Sequence, residues 1–459
     1  MITRIEINGF KSFRKFAMDF TPFTVIAGIN ASGKSNLFDA LELLSRLSQL
    51  SLREAFPDNR GNVNEVFTII GQQEINKMEF AVEMLVERKV KDNWGIEAEI
   101  KTPRLRYELH IERKLRSGGI DELIVTHESL DKIKTNEDKW AKEFIPKDKV
   151  SLWKNSQSGG SSEPFIQTKI LPNMTAVAIV LRQDGGRRGK NTPANVINQT
   201  VLSGVNSNDF PHVFAAKMEM VNWKFMQLNP EELRKPTIKD AKMSDIITHN
   251  GGNLAAALFR IKEKDEYILT EISRDLIRFL PEYISVDVIN DDANRQFIIK
   301  LTNKEDEVFS SRVLSEGTLR LLTLIIIQFD NKHKGLLCFE EPENGIHPNR
   351  IKQMAELLYN LSADYDNIHN PLRQVIVNTH SPILINELLR WSDNKNVSIW
   401  LSKMVTDIIN FHGQRVKMRA TKMSRVSKSN QKSLFWQDEN PNTVADLDDY
   451  LTTIKGFNN

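Results

Sequence analysis

Residues 28–35 combine residue types that can hold a phosphate group. They read Gly-Ile-Asn-Ala-Ser-Gly-Lys-Ser, which fits the phosphate-loop pattern of glycine, four residues, glycine, lysine and serine. In that pattern backbone N–H groups surround phosphate oxygens, the lysine contacts the outer phosphates, and the hydroxyl reaches a magnesium ion. We therefore predict that seven consecutive residues contact the phosphates and that one of them, Ser35, also contacts magnesium. They are Asn30, Ala31, Ser32, Gly33, Lys34, Ser35 and Asn36.

The elements around this loop are the ones that the chemistry requires. An apolar run at residues 23–27 precedes it, and leucines at helical spacing follow at 37, 41, 44 and 47. A strand followed by a helix places the positive helix end at the phosphates. The alternative, an accidental glycine-rich turn, does not explain why spacing and context agree.

Two carboxylates end a second apolar strand. Residues 335–341 read Gly-Leu-Leu-Cys-Phe-Glu-Glu. Ligands of open parallel sheets lie at the carboxyl ends of the strands, so both acids would face the phosphates. We predict that Glu340 holds magnesium through water and that Glu341 orients and deprotonates the attacking water. The alternative is a strand that ends in solvated acids.

Two further polar positions complete the set of candidates. His380 follows the apolar strand at 374–379 and is placed to donate a hydrogen bond to the γ-phosphate. Ser315 is the predicted N-cap of a helix that runs to about Phe329, and Gly317 leaves its N-terminus open to an anion. Taken alone, a structural histidine and a simple helix cap are the better explanations of these two positions, and only the combination with the other motifs favours a functional role.

The pattern along the chain predicts an α/β protein with four segments. Residues 1–112 alternate like a mixed sheet with an antiparallel meander around one helix, and residues 281–402 alternate between strand and helix like a parallel sheet. Residues 113–280 lack periodicity up to about 205 and are helical after 210, which predicts an inserted loop-rich and helical lobe. Residues 403–459 form an extension with short strands, a basic block and an acidic end.

Composition excludes several classes of protein. The chain has 62 basic and 60 acidic residues, so no net field steers it to nucleic acid. The one cysteine, Cys338, excludes an internal disulfide and a cysteine-based zinc site. Without a run of about 18 apolar residues or a signal-peptide pattern, we expect a soluble cytoplasmic protein with no membrane contact.

Together these motifs resemble the ABC-type ATPase heads of the SMC, RecF and OLD group. The resemblance rests on their order: phosphate loop, Ser-x-Gly helix start, Glu-Glu strand end, Pro-Glu-Asn-Gly-Ile-His-Pro at 342–348, and Thr-His-Ser-Pro at 379–382. Asn-Gly-Phe-Lys-Ser-Phe at 8–13 and the asparagines Asn30 and Asn36 are also familiar in such heads. It covers roughly residues 1–110 and 280–400.

The resemblance implies a composite site with ATP and Mg²⁺. Ser315, Glu316 and Gly317 match the signature that contacts the γ-phosphate held by the opposite subunit, so a homodimer or higher homo-oligomer would sandwich two ATP molecules. Glu343 and Asn344 match the loop that crosses the dimer interface, and His380 matches the switch histidine. Gln72 or Gln73 is matched, by order alone, to the glutamine that senses magnesium.

Departures from the family pattern suggest a subgroup. Glu340 stands where aspartate is usual, and Glu316 and Thr318 stand where transporters have glycine and glutamine. These features look like bacterial stand-alone ATPases of anti-phage defence operons, the PARIS ATPase more than the Septu ATPase, and imply slow hydrolysis. The first hypothesis is therefore a sensor or scaffold ATPase that controls a separate toxic effector, such as a nuclease. Asp446 and Asp448 have the spacing of a nuclease acid pair but read as the start of an acidic helix.

The second hypothesis is a RecF-like ATPase that binds DNA. Residues 411–434 contain seven basic residues and no acid, and a second basic group lies at 182–190. Such clusters can bind phosphates without sequence preference, although charge runs are more often solvated faces. The first cluster comprises Arg415, Lys417, Arg419, Lys422, Arg425, Lys428 and Lys432, and the second Arg182, Arg187, Arg188 and Lys190. A transporter motor, the third alternative, does not explain the long insertion.

Overall fold

The computed structural model describes residues 1–56, 63–71, 73–92, 94–115, 121–149, 153, 163–170, 177–183, 189–193, 198–265, 267–362, 372–411, 413–427 and 442–443. The α-helices in these ranges are α1 (Lys34–Leu47), α2 (Leu52–Ala55), α3 (Lys139–Phe144), α4 (Pro211–Val221), α5 (Pro230–Arg234), α6 (Leu254–Lys264), α7 (Ile268–Phe279), α8 (Glu316–Phe329), α9 (Ile351–Asn360) and α10 (Pro382–Leu389).

The strands of the first half are β1 (Ile2–Asn8), β2 (Phe16–Asp19), β3 (Phe23–Ala27), β4 (Ile69–Ile70), β5 (Gln73–Glu74), β6 (Lys77–Leu85), β7 (Lys89–Lys91), β8 (Glu97–Glu99), β9 (Arg104–Leu115), β10 (Asp121–Lys132), β11 (Ile166–Ile170), β12 (Val177–Arg182) and β13 (Gly189–Pro193). Those of the second half are β14 (Lys224–Met226), β15 (Thr237–Ile238), β16 (Tyr283–Asp291), β17 (Gln296–Asn303), β18 (Val308–Ser310), β19 (Gly335–Glu340), β20 (Arg373–Thr379), β21 (Val397–Phe411), β22 (Gln414–Ser427) and β23 (Asn442–Thr443).

The central sheet positions the predicted site. Its order is β14-β19-β20-β3-β21-β22-β23, and the first five strands are parallel. Both faces of these strands are covered, which explains why the sequence shows them as continuous apolar runs. In β19, Leu336 and Cys338 pack on one face while Leu337 and Phe339 pack on the other. The carboxyl ends of β3, β19 and β20 therefore meet at one edge.

The second sheet is antiparallel and covers one side of α1. Its eight strands have the order β13-β12-β11-β10-β9-β6-β1-β2. The apolar side of α1, with Leu37, Leu41 and Leu44, lies in the hydrophobic core that also contains residues of this sheet and of β19 and β20. Because α1 is packed between two sheets, the start of the helix is held firmly after the glycine-rich loop.

The opposite face of the central sheet is covered mainly by helices. Side chains of α6, α7, α8, α9 and α10 form a second core with β3, β19, β20 and β21. A small sheet of order β15-β17-β16, with β18 on β17, packs into the same core. The short segment Ser311–Val313 leads from this small sheet into α8.

The predicted insertion at 113–280 differs from its expected form. Residues 211–279 contain the helices α4 to α7 and the short strands β14 and β15, whereas residues 121–193 contribute β10, β11, β12 and β13, which extend the antiparallel sheet. The boundary at 112 falls inside β9. Alternating side chains such as Ile124 and Leu130 reach the core, while glycine, serine and lysine clusters between the strands mask this alternation in the sequence. These strands are therefore parts of the antiparallel sheet of the head, whereas a loop-rich region was expected.

The predicted extension from residue 403 is also continuous with the head. The boundary at 402 falls inside β21, and β21 pairs with β22 from Trp400–Arg425 to Phe411–Gln414. The two strands are 15 and 14 residues long, whereas short strands were expected. Apart from β23, residues 428–459 lie outside the described part of the chain, including Lys428, Lys432, Asp446 and Asp448.

The predicted fold class, an α/β phosphate-loop head with a mixed sheet and an antiparallel meander, is confirmed. A phosphate loop joins β3 to α1, a mixed sheet carries it, and an antiparallel meander covers the helix. Within the described residues, no helix is long and apolar enough to cross a membrane.

Candidate nucleotide site

The loop after β3 has the backbone of a phosphate cradle. Ala31 and Gly33 have positive φ angles of 63° and 93°. A Cβ on Gly33 would lie 1.9 Å from Thr421 Oγ1, so only glycine fits this position. Ile29, Asn30 and Ala31 are exposed at the tip of the loop, whereas Ser32 and Lys34 are buried. The predicted loop therefore exposes its tip and holds its base tightly.

Lys34 lies in the mouth of this loop. Its ammonium donates hydrogen bonds to the carbonyl oxygens of Gly28, at 2.7 Å, and Ile29, at 2.9 Å. Burial lowers its pKa, and the negative charges of Glu341 and two neighbouring carboxylates oppose that effect. A partly desolvated cation held by backbone carbonyls is placed to exchange them for phosphate oxygens.

The predicted magnesium ligands are adjacent. The Ser35 hydroxyl donates a hydrogen bond to Glu340 Oε1 at 2.9 Å. Both groups are accessible, and their oxygens suit a hard divalent cation. In the described ranges, no cluster of three or more histidine, cysteine or acidic residues could hold a metal. A magnesium ion here would therefore need phosphate oxygens and water among its ligands, as is usual for nucleotide-bound magnesium.

Glu341 and His380 are in direct contact. Glu341 Oε1 lies 2.7 Å from His380 Nδ1, and its Oε2 accepts a hydrogen bond from Asn344 Nδ2 at 2.9 Å. Glu341 has φ = 45°, a conformation that side-chain-bearing residues rarely adopt, and its N–H donates to the carbonyl of Asn378. The turn after β19 thus aims the carboxylate at the end of β20. The two predicted catalytic residues are brought together.

The signature residues cap α8 at an exposed position. Ser315 accepts a hydrogen bond from the N–H of Thr318 at 3.3 Å and shares a 2.8 Å hydrogen bond with its hydroxyl. Ser315 and Glu316 are exposed, and Gly317 is buried. The place of a Cβ on Gly317 is 3.5 Å from the carbonyl oxygen of Gly345. The start of α8 therefore lies against the loop after Glu341 in the same chain.

The loop at 343–347 divides its side chains between two directions. Asn344 is exposed, as expected for an interface residue. Glu343, expected to cross the interface, is 7% exposed and is hydrogen-bonded to the Thr379 hydroxyl, while its second oxygen has no hydrogen-bond partner. Burial raises the pKa of Glu343. Glu343 therefore points into the protein that carries it.

Asn36 is turned to the protein rather than to the loop mouth. Its side chain donates to the Ser12 hydroxyl at 2.8 Å, and Ser12 shares a 2.6 Å hydrogen bond with Thr421. Ser402 also donates a hydrogen bond to the carbonyl of Ser32 at 2.9 Å. The β21–β22 hairpin thus supports the phosphate loop from one side.

The glutamine matched to magnesium sensing was placed at Gln72 or Gln73, and the assignment of that role remains a prediction. Gln72 lies outside the described residues, and its neighbour Gln73 is exposed on the small β4–β5 hairpin, which packs against β22. Gln227 instead follows β14, which is parallel to β19 with Met226 opposite Phe339. Its side chain is exposed beside Glu340 at the carboxyl edge of the sheet.

Sequence reasoning missed Gln227 because β14 has only three residues and shows no periodicity. The one available signal was the apolar pair Phe225 and Met226 directly before a glutamine. A cavity of about 750 Å³ is lined by Gln227, Ser35, Glu340 and one side of α1. Residues 28–34 do not line this cavity, so it extends the site on the magnesium side.

Comparisons with known proteins match both halves of the chain to ATPase domain models. Residues 1–175 match the model described as "AAA ATPase domain". Residues 218–386 match the model described as "AAA domain, putative AbiEii toxin, Type IV TA system". No curated protein matches the sequence.

Solved structures of SMC heads show a limited overall similarity. The SMC head bound to the C-terminal winged-helix domain of ScpA is 17% identical, with 93% of this chain and 98% of that chain covered and a TM-score of 0.47. The Pyrococcus furiosus SMC head with an extended coiled coil is 13% identical, with 100% and 99% covered and a TM-score of 0.47. The Thermotoga maritima SMC head is 11% identical, with 92% and 98% covered and a TM-score of 0.36. Because the identities are at most 17% and the TM-scores at most 0.47, no conclusion about this chain is drawn from these structures.

Proposed function

We propose that this chain is an ABC-type ATPase head that binds ATP with Mg²⁺ and hydrolyses it at a site completed by a second copy of the chain. One observation carries the proposal. The pairs Ser35–Glu340 and Glu341–His380 lie with Lys34 where three adjacent parallel strands end. Each group matches one requirement of phosphoryl transfer to water: a cation, a metal-binding pair, and a base with an orienting partner.

Each residue has a defined task in this mechanism. Lys34 exchanges its carbonyl partners for oxygens of the β- and γ-phosphates, and the backbone N–H groups around Gly33 complete the cradle. Ser35 and Glu340 would hold magnesium, which supplies charge neutralisation on the phosphates. Glu341 accepts a proton from the attacking water, and His380 orients the carboxylate by donating the hydrogen bond from its Nδ1–H.

The second copy is required because the signature points outward. Ser315 and Glu316 form an exposed helix start, which can receive a phosphate oxygen of a nucleotide held elsewhere. Ile29 on the phosphate loop and Val313 just before the signature are 58% and 68% exposed. In a sandwich of two heads, these apolar side chains of opposite copies would lose contact with water, which favours ATP-dependent association.

Two measurements test this function together. ATP hydrolysis should occur with Mg²⁺ and stop in excess EDTA, and sedimentation should show a larger species with ATP than without nucleotide. A protein that binds ATP neither with Mg²⁺ nor in excess EDTA would refute the assignment. Turnover by a species that stays monomeric at all ATP concentrations would refute the composite site but keep the phosphate site.

Gln227 is assigned the magnesium-linked task that the sequence placed on Gln72 or Gln73. We expect Gln227→Ala to lower kcat about tenfold and to raise the Mg²⁺ concentration needed for half-maximal turnover, because the side chain lies beside Glu340. Gln73→Ala and Gln72→Ala are the matched controls and should behave like the wild type. The reverse pattern in a Mg²⁺ titration of ATPase activity would return the assignment to residues 72–73.

In the cell, we propose that the ATPase is the sensor or scaffold of an anti-phage defence system and controls a separate toxic effector, such as a nuclease. The description of the model matched by residues 218–386, which names a putative toxin of a toxin–antitoxin system, supports this setting. Co-expression with the products of neighbouring genes tests it: one product should co-purify, and its toxicity should depend on Lys34 and Glu341. A chain that co-purifies with none of them would count against this role.

DNA binding is the second candidate, and one surface favours it. Arg415, Lys417 and Arg419 alternate along β22, so they share one face, and all three are exposed. Alternate residues of a strand are about 7 Å apart, so the three side chains form a row of positive charge along which a nucleic acid backbone could lie. The second predicted cluster is weaker, because Arg182 is paired with Glu163 at 2.6 Å; Arg187 and Arg188 lie outside the described residues.

Neutralising this face provides the test. If the hairpin holds a DNA backbone, the triple variant Arg415→Gln, Lys417→Gln, Arg419→Gln should weaken duplex binding about tenfold or more. The number of phosphate contacts deduced from the salt dependence of the affinity should fall by about three. A control triple at scattered exposed lysines, Lys101→Gln, Lys242→Gln and Lys352→Gln, should change neither. If the wild type binds duplex DNA as weakly as the triple variant does, and its affinity does not depend on salt, DNA binding is not a function of this surface.

A further inference from the structure

The cavity of about 750 Å³ between β14 and α1 is only partly used by the proposed function. Ser35, Glu340 and Gln227 form its magnesium end, and the other lining side chains have no task there. Its volume is within the range of about 300–1,000 Å³ that small-molecule sites have. Ile246 and His249 line the cavity and are exposed, so it is open to solvent at these residues.

One wall of the cavity is the edge strand β14. Phe225 is paired with Cys338 of β19, and both lie on the face of the sheet that α1 covers. Trp223 and Gln227 are two residues before and after Phe225, so they share this face. The indole N–H of Trp223 donates to Glu219 at 3.1 Å. This wall is therefore aromatic along most of its length and polar at the magnesium end.

The opposite wall is one side of α1. Ser35, Phe38 and Glu42 are three and four residues apart, a spacing that places them on one face of the helix. At 1.5 Å per residue, Glu42 is about 10 Å further along the helix than Ser35. The rings of Phe38 and Phe225 meet edge to face with centroids 6.4 Å apart. The two walls thus touch in the middle, with Glu42 on the side away from magnesium.

Glu42 has neither a hydrogen bond nor an ion pair with another described residue. The other two carboxylates of the cavity are satisfied, because Asp39 is paired with Lys11 at 2.5 Å and Glu340 accepts the hydrogen bond of Ser35. Glu42 is half-buried. A half-buried carboxylate that the protein itself does not pair is suited to receive a cation from outside.

The other cations of the cavity are turned away from Glu42. Arg46 lies one helical turn after Glu42, but its guanidinium donates to two carbonyl oxygens of α2 at 2.6 and 2.7 Å. The ammonium of Lys224 donates to the carbonyl of Lys332 at 3.4 Å. The carboxylate instead faces β19, since burial and the negative charge of Glu42 raise the pKa of the Cys338 thiol.

We propose that this cavity binds an organic cation whose ammonium or guanidinium group pairs with Glu42 and whose apolar stem lies against Trp223 and Phe225. The carboxylate supplies the opposite charge, and aromatic faces attract cations. A free small molecule and an arginine or lysine side chain of a docked protein share this chemistry. The cation site stands independently of the proposed function.

A second step rests on the proposed function. A stem that extends along α1 from Glu42 ends beside Ser35 and Glu340, where magnesium would bind. The bound ligand therefore restricts this space and raises the Mg²⁺ concentration that turnover needs. ATP hydrolysis then responds to the presence of the ligand.

Two probes of the same shape test the cation site. Nα-benzoyl-arginine amide carries a guanidinium, and Nα-benzoyl-citrulline amide replaces it by an uncharged urea. Calorimetric titration without nucleotide should give the arginine probe a Kd below about 1 mM, a modest affinity for a ligand of this size. The citrulline probe should bind at least about tenfold more weakly, because it lacks the charge-assisted pair with Glu42.

Two variants assign the preference to its parts. Glu42→Gln should bind both probes equally, whereas Glu305→Gln, at an exposed position, should keep the wild-type ratio. Phe225→Leu should weaken both probes about threefold and keep their ratio, because it removes wall area and no charge. Equal binding of both probes by the wild type, or a preference that Glu42→Gln retains, would overturn the cation site.

A third probe distinguishes the two sources of the cation. It is a peptide with arginine between glycines, compared with its citrulline counterpart. Tighter binding of the arginine peptide than of the benzoyl probe indicates a docked protein, and the reverse order indicates a free small molecule.

A Mg²⁺ titration of ATPase activity tests the second step. A saturating arginine probe should raise the Mg²⁺ concentration for half-maximal turnover at least about twofold in the wild type and not in Glu42→Gln. An unchanged Mg²⁺ requirement with the probe bound would overturn this step and keep the cation site. A wild type that prefers the arginine probe but hydrolyses no ATP would instead overturn the proposed function.

Discussion

The Lys34→Ala protein is expected to bind ATP at least about 100-fold more weakly than the wild type. The ammonium lies in the mouth of the phosphate loop and is held only by the carbonyls of Gly28 and Ile29 in the described structure, so phosphates can replace those partners. Losing one or two charge-assisted hydrogen bonds to phosphate costs about 3 kcal/mol, which corresponds to this factor. Equilibrium binding of a fluorescent ATP analogue measures it.

The same substitution should leave the fold largely unchanged. Lys34 pays a desolvation cost in the folded chain, as its lowered pKa shows, and alanine removes that cost together with the two hydrogen bonds. The melting temperature should therefore stay within a few degrees of the wild type. Lys101→Ala, at an exposed position, is the control for both measurements. Undiminished ATP binding by the Lys34→Ala protein would remove the phosphate site from residues 28–36.

Glu341→Gln should separate binding from hydrolysis. The amide keeps the size of the side chain and can still accept the hydrogen bond from Asn344, but it cannot take a proton from water. Loss of a general base lowers turnover by about 100- to 1000-fold, while ATP binding should change little. Single-turnover hydrolysis and equilibrium binding on the same preparation measure the two effects.

This variant should also accumulate the ATP-bound dimer. If hydrolysis is what opens the sandwich, a chain that binds ATP without cleaving it remains associated, and sedimentation should show twice the monomer mass with ATP alone. The control Glu305→Gln should dimerise only transiently while ATP lasts. A Glu341→Gln protein that hydrolyses ATP at the wild-type rate would assign the base to another residue.

The parts of the site that are local in the sequence could be predicted from it. The phosphate loop depends on spacing within eight residues and on the apolar strand before it, and the structure has both. Glu340 and Glu341 follow a continuous apolar run, and His380 follows the apolar residues 375–377 after two polar ones. Because parallel strands of one sheet end at one edge, these runs were enough to predict that the three side chains meet.

Features set by distant contacts could not be predicted in this way. Gln227 follows a strand of three residues whose place is fixed by its partner β19, more than a hundred residues later in the chain. Glu343 and Asn344 are neighbours of similar polarity, and only the left-handed turn at Glu341 and the hydroxyl of Thr379 turn the first inward. Strands β11 and β13 have only five residues each and are rich in polar residues, so their sequence pattern resembles that of loops.

Cross-linking between copies tests the central claim most directly. The only native cysteine, Cys338, is buried, so cysteines introduced at the exposed positions Ile29 and Val313 can be linked selectively. In the Glu341→Gln background, one tagged chain would carry Ile29→Cys and a differently tagged chain Val313→Cys, and the mixture would be treated with a short bismaleimide. The composite site predicts a cross-linked pair bearing both tags with ATP and none without nucleotide, because the phosphate loop of one copy then faces the signature of the other. A protein that binds ATP fully yet yields no such pair would contradict the account.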